Sequence, residues 1–270
     1  MQHRKSNRIA AWSRLCVFAL IIFNMHTATA TTTTVAVADT RELVVVLHGL
    51  NVTSLTMRRI ERALERGGYR VVNRSYPSRT MPAEKIATQW LPQLLAASNA
   101  AAAPRVHFVA HSLGGIIVRL WLRDCATPAN MGRVVMLAPP NHGSEIPDHF
   151  RAGALRRPFF RLITGVNGPR LGAAATPDSL TRPLGAFPAN VELGIIAGNR
   201  WMNPLFLRWF AGENDGTVSV ASTQLAGMRD HIVMPYSHTG ILMRDAAVAQ
   251  IIAFLRDGKF NRAEQRENAK

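Results

Sequence analysis

Short, continuous apolar runs recur along this chain, and stretches of helical period lie between them. "ELVVVLH" (42–48), "YRVVNRSYP" (69–77), "RVHFVA" (105–110), "RVVMLAPP" (133–140), "VELGIIAG" (191–198) and "HIVMPY" (231–236) read as strands. Strands apolar on both faces need cover on both faces, which is the situation of a parallel sheet. The stretches between supply that cover. "TMRRIERALERGG" (56–68) puts Met57, Ile60 and Leu64 on one helical face and stops at glycine. "AEKIATQWLPQLLAAS" (83–98) is helical, with a kink or break at Pro92. "LGGIIVRLWLRD" (113–124) is a helix. In "ILMRDAAVAQIIAFLRDG" (241–258), Val248, Ile251, Ile252 and Leu255 repeat at helical spacing before a glycine. The alternation predicts an α/β fold, a mostly parallel sheet of about six strands with helices on both faces. There is no internal repeat.

The first 30 residues stand apart. His3, Arg4, Lys5, Arg8 and Arg14 precede the apolar "LCVFALIIF" (15–23), and "TATA" ends at Ala30. This order is that of a secretory signal peptide over 1–30, cut after Ala30. The apolar run is shorter than the roughly 20 residues of a spanning helix; an uncleaved anchor is the alternative. The expected product is exported, periplasmic or secreted, with a flexible start at 31–41, a folded domain over 42–260 and a flexible tail at 261–270. Cys125 is then the one cysteine left, so no intrachain disulfide staples the domain.

The whole chain carries a formal charge of +15. Setting residues 1–30 aside leaves 28 basic against 17 acidic side chains, a charge of +11. Such a surface favours contact with anionic membranes. The arginines are scattered and no basic run carries interleaved aromatics, so no nucleic-acid partner is expected. Residues 147–190 break the alternation. They are rich in Gly, Pro and Arg and hold Phe150, Phe159 and Phe160 without a clear period. A segment of this length is often functional, and a cap or lid over a site is expected here.

The chemistry gathers around "AHSLG" (110–114). Ser112 sits where strand becomes helix with no residues to spare. A turn that sharp crowds the positions two before and two after it, and both are small, Ala110 and Gly114. The pentapeptide alone fits a nucleophile elbow or an N-cap serine equally well. An elbow would present Ser112 Oγ and the Leu113 N–H to the same space at a helix N-terminus, where an oxyanion is stabilised. "VLHGLN" (46–51) offers a second donor, Leu50 N–H, with Gly49 easing the turn. A serine needs a base, and the base an orienting acid. Of the nine histidines, His238 in "PYSHTGIL" lies between the last strand and the last helix, at the edge of the sheet where the elbow lies. His111 fills the elbow. Asp215, in the tight turn of "FAGENDGTVSV" (210–220), is the acid, with Glu213 as competitor.

The order Ser112, Asp215, His238, together with "VVVLHGLN", "VHFVAHSLGGIIVR", "VVMLAPPNHGSE", "ENDGTVSV" and "SHTGIL", resembles the α/β-hydrolase superfamily and, within it, bacterial secreted lipases and esterases. The resemblance spans residues 43–258. It implies the α/β-hydrolase fold, Ser112 as nucleophile, His238 as base, Asp215 as acid, and Leu50 and Leu113 as oxyanion donors. It implies no cofactor, and no metal site is evident. The expected reaction is hydrolysis of carboxylic esters, lipid-like acyl esters among them, with Phe159, Phe160, Leu162 and Ile163 lining an acyl pocket and Arg156, Arg157 and Arg161 facing anionic lipid. Acyl transfer or thioester cleavage on the same fold, or a non-catalytic lipid- or polyanion-binding scaffold, are the alternatives.

Overall fold

The structure, a computed structural model, describes residues 39–151, 153, 155–174, 176–201 and 209–263. The leader expected at 1–30 lies outside the described residues. All six apolar runs form strands: β1 (Leu43–Leu47), β2 (Arg70–Asn73), β3 (Val106–His111), β4 (Met131–Leu137), β5 (Leu193–Gly198) and β6 (Asp230–Met234). They make one sheet of order β2-β1-β3-β4-β5-β6, every pair parallel. The register sets Val45 beside Phe108 and Phe108 beside Val134.

Alternate residues of β1 serve opposite cores, as the period of two requires. Leu43, Val45 and Leu47 pack on one face of the sheet with α4 (Leu113–Asp124). Val44 and Val46 pack on the other with α1 (Arg58–Arg66), through Ile60 and Leu64, and with α8 (Asp245–Asp257), through Val248, Ile251 and Leu255. Gly258, at φ +69, ends α8 in a left-handed cap.

Between β2 and β3, α2 (Ala83–Lys85) runs through a π-helical turn, Ile86–Trp90, into α3 (Leu91–Ala97). The wider turn answers Pro92, which has no N–H for the preceding turn and whose ring needs room there. The helix bulges before the proline rather than breaking at it.

The expected cap divides in two. Its first part holds α5 (Glu145–Arg151) and α6 (Arg156–Thr164). Buried Asn167 ties the end of this part to the body, accepting from Ala83 N–H at 2.9 Å and donating to Ser78 O at 2.7 Å and Met81 O at 2.9 Å. Later residues, Leu180, Leu184 and Phe187, belong to the core beneath α4. A short α7 (Val220–Thr223) precedes β6. Two residues assigned to the tail are held by the domain: Asn261 exchanges hydrogen bonds with Gln250, and Arg262 pairs with Asp230.

β2 follows β1 outward on one side, and β3 returns to its other side. Loops leaving the carboxyl ends of β1 and β3 therefore diverge and leave a crevice between them, the usual place for a ligand in an open parallel sheet.

Candidate active site

Ser112 follows β3 and precedes α4 directly. Its backbone adopts φ +52 and ψ −119, a conformation that strains a residue with a Cβ. The Ser112 N–H donates to Leu137 O at 2.9 Å, and the Ser112 carbonyl accepts from Gly115 N–H at 2.9 Å. The bend presses α4 onto the end of β1. A Cβ on Gly114 would stand 2.8 Å from Leu47 O and 2.9 Å from His48 O, so a side chain has no room there.

His238, in the loop between β6 and α8, joins two groups. Its Nε2 lies 3.0 Å from Ser112 Oγ and its Nδ1 2.8 Å from Asp215 Oδ2. Asp215 is 2% exposed. Its Oδ1 accepts the backbone N–H groups of Thr217 at 2.9 Å and Val218 at 2.8 Å, which turns Oδ2 toward the imidazole. Because that oxygen is an acceptor, the Nδ1 proton faces it and the Nε2 lone pair faces the hydroxyl. The His238 N–H also donates to Asp215 O at 3.0 Å. The structure brings Ser112, His238 and Asp215 together and leaves Glu213 exposed on the surface.

Leu113 N–H opens α4 at the elbow and has no backbone partner among the described residues; the same holds for Leu50 N–H. The Leu50 peptide is held from its other side. His48 stacks on Tyr76 with ring centroids 4.0 Å apart, its Nε2 accepts Tyr76 N–H at 3.1 Å, and its Nδ1–H donates to Gly49 O at 2.8 Å. The phenol of Tyr76 in turn donates to His48 O. In a trans peptide the carbonyl and the next N–H point oppositely, so a Gly49 carbonyl drawn toward the His48 ring turns Leu50 N–H away from it. Burial holds the His48 imidazole below its usual range, which keeps Nε2 available as an acceptor.

His111 is buried beside the serine. Its Nε2–H donates to His238 O at 2.9 Å, and its Nδ1 has no partner. Burial, with His238 close by, holds this imidazole at about 3, so it stays neutral.

A pocket of about 260 Å³ opens in front of Ser112 and His238, walled by Leu50, Ile146, Phe160, Leu171 and Val218 among others. The segment holding α5 and α6 thus forms one wall, through Ile146, Pro147, Phe160 and Thr164. Phe160 faces this pocket. Phe159 does not line it and is 56% exposed, because neighbours on a helix point about 100° apart. Leu162 and Ile163 also lie outward, at 71% and 43% exposure. An apolar pocket lined by Leu50 and bearing the Ser112 hydroxyl and the His238 imidazole suits a carbonyl compound with an apolar tail.

Residues 70–158 match the family model described as serine hydrolase. No curated protein matches the chain significantly. Solved structures do. A Bacillus licheniformis lipase in mature form superposes with a TM-score of 0.55 at 20% identity, over 75% of this chain and 86% of its own. Phospholipase PlaB from Legionella pneumophila gives 0.64 at 18% identity, over 85% of this chain and 62% of that longer one. An esterase from Pyrococcus furiosus gives 0.52 at 14% identity, over 82% and 84%.

The chain has the α/β-hydrolase fold.

Within this fold, sequence reading passed over several groups at the site. His48 read as part of a strand-end turn, and its partner Tyr76 lies 28 residues on, where no local pattern links them. Glu145, the last residue of "APPNHGSE", stands near Asp215; burial pushes its carboxyl up, and its Oε2 is buried without a partner. A carboxylate directly after the turn that follows β4 was the available signal for it.

Proposed function

We propose that this chain hydrolyses carboxylic esters, lipid-like acyl esters among them, with Ser112 as nucleophile, His238 as general base and Asp215 as its orienting acid. One observation carries the reading: an unbroken hydrogen-bonded series from Asp215 Oδ2 through both ring nitrogens of His238 to Ser112 Oγ, on a strained elbow. The serine hydrolase match and the likeness to a lipase, a phospholipase and an esterase support it.

In this reading, His238 Nε2 takes the Oγ proton as Oγ bonds to the ester carbonyl carbon. Asp215 stabilises the imidazolium. The oxyanion meets the N–H groups of Leu50 and Leu113, each such donor being worth roughly 10²–10³ in rate. The tetrahedral species collapses, the alcohol leaves with the proton from His238, and the acyl group stays on Ser112. Water, deprotonated by the same imidazole, then releases the carboxylic acid and restores the serine.

The substrate surface follows from α6. Leu155, Phe159 and Leu162, spaced i, i+4, i+7, stand 86%, 56% and 71% exposed on its outer side, with Arg156, Arg157 and Arg161 between them. An exposed apolar stripe set among arginines suits the interface of an anionic membrane. The inner side of the same helix gives Phe160 and Thr164 to the ester pocket, so the cap would meet lipid where the pocket opens. The basic, apolar and small-residue order of positions 1–30 supports export to the periplasm or beyond.

The test is hydrolysis of p-nitrophenyl esters from acetate to decanoate by the purified protein and its Ser112→Ala variant. Turnover by the parent, with loss in the variant to the level of buffer, is expected. Equal turnover by both overturns the proposal.

A further inference from the structure

Arg119 lies on α4, seven residues beyond Ser112, and is 5% exposed. A guanidinium taken out of water ordinarily finds a carboxylate, since an unpaired buried charge is costly. Arg119 meets only neutral oxygens among the described residues. Its Nη1 donates to Asn141 O at 2.9 Å and Asn141 Oδ1 at 3.2 Å, and its Nη2 donates to Gly185 O at 2.7 Å. Burial pushes its pKa down to about 10, with no carboxylate near enough to raise it again, so the group is still a cation at neutral pH. Of the five N–H groups of a guanidinium, Nε–H and one on Nη2 are left over. Nε and Nη2 make the edge that carboxylates take elsewhere in this chain: Asp124 sits on those two atoms of Arg123 at 2.6 and 2.7 Å.

Arg119 also lines a cavity of about 440 Å³, together with Asn141, His142, Ser179, Thr181 and Arg182. Among the described residues, no Asp or Glu lines it. Ser179 and Thr181 are buried, and their hydroxyls stand 3.5 Å apart. Two guanidinium groups, an imidazole and two hydroxyls, with no acid among them, make a site rich in donors and in uncompensated positive charge. We propose that this cavity binds a phosphate or phosphoryl group on the free edge of Arg119, with Arg182 at its mouth. Phosphoryl fits better than carboxylate because three oxygens and up to two charges use more of these donors.

The cavity adjoins the ester pocket through two shared segments. Pro140 and Ser144 line the pocket, while Asn141 and His142 between them line the cavity. Likewise Leu171 faces the pocket and Ala173 the cavity. The segments are joined by Ser144 N–H to Leu171 O at 2.8 Å and Ala173 N–H to Ser144 O at 3.0 Å. A bound anion would brace that wall. The inference does not rest on the ester reading.

Calorimetric titration with inorganic phosphate, with chloride keeping ionic strength constant, tests it. One saturable site is expected, with a matching rise in Tm. Arg182→Ala, whose side chain is exposed, should keep the Tm measured in chloride and weaken phosphate binding at least fivefold. Arg119→Lys, which cannot offer the fork, should weaken it at least tenfold. If Arg119→Lys does not fold, Thr181→Val takes its place. A parallel titration with sn-glycerol 3-phosphate assigns the source: tighter binding than phosphate points to a lipid headgroup, weaker binding to the free ion. No heat and no Tm rise beyond that of chloride would overturn the proposal, as would affinity unmoved in both Arg182→Ala and the second variant.

Discussion

The Nε2–H of His111 donates to the carbonyl oxygen of His238 at 2.9 Å, so the residue beside the serine holds the backbone of the residue whose ring meets that serine. The end of β3 and the loop after β6 are thereby set at one spacing. Replacing His111 with Ala removes the strut and leaves His238 less well placed. A loss of about tenfold or more in kcat with KM little changed is expected, since misplacement by about an ångström can cost on the order of 10²-fold. Steady-state kinetics on a soluble ester check it, with circular dichroism confirming the fold.

Acid should destabilise the protein through the same residue. Burial holds both His48 and His111 below the usual imidazole range, His111 at about 3. The unfolded chain therefore takes up protons at a higher pH than the folded one. Stability is full above about pH 6.5, the free imidazole value, and falls as pH drops below it toward about 3. Tm measured from pH 7.5 to 4.5 should decline, and the decline should be shallower in His111→Gln. An identical slope in the two proteins would contradict this. The carboxylates, several of them held low by arginine partners, add to the decline toward pH 4.5 in both proteins alike, so the difference between the two slopes reports His111.

His48→Phe keeps a flat ring on Tyr76 and removes both ring hydrogen bonds. The Gly49 carbonyl is then free to swing, and Leu50 N–H with it. If Leu50 N–H stabilises the oxyanion, kcat should fall by roughly 10–10²-fold while KM holds, somewhat less than outright loss of a donor. A variant with parental kcat would show that the His48 ring does not set that peptide.

Gly114→Ala places a methyl 2.8 Å from Leu47 O and 2.9 Å from His48 O, both backbone atoms. Neither can rotate aside, so α4 must shift. A loss of about 1–3 kcal/mol is expected, as for other overpacked sites, together with reduced kcat because Ser112 moves with the helix. Urea unfolding with a parallel assay measures both.

Phe159→Ser combined with Leu162→Ser changes the outer side of α6 alone. Turnover of a soluble ester should be unchanged, while binding to vesicles containing phosphatidylglycerol should weaken about tenfold or more, as expected when two apolar side chains no longer bury in lipid. Equal vesicle binding would remove α6 as the lipid-facing element.

The strand and helix plan was legible because both cores lie on continuous or periodic apolar patterns. Leu43 to Leu47 reads as a two-sided strand, and Leu113 to Asp124 is a helix at both ends as written. The positions of Ser112, Asp215 and His238 were legible as well, because a parallel sheet gathers the loops from one edge of all its strands. What escaped depends on contacts between distant segments. Phe159 and Phe160 are alike in composition and differ only in which way α6 is turned. The pairing of His48 with Tyr76, and the neutral environment of Arg119, arise from packing that no local period encodes. The π-helical turn before Pro92 is intermediate: proline announced a disturbance, and the packing of Ile86 and Leu91 into the core decided that the helix would bulge rather than end.

The central claim is that Ser112 carries the acyl group. Treatment with a fluorophosphonate, followed by intact mass measurement and peptide mapping, tests it most directly. One adduct, on the peptide containing Ser112, is predicted, formed far more slowly in His238→Ala and absent in Ser112→Ala. An adduct on another residue, or equal labelling of the parent and Ser112→Ala, would contradict it.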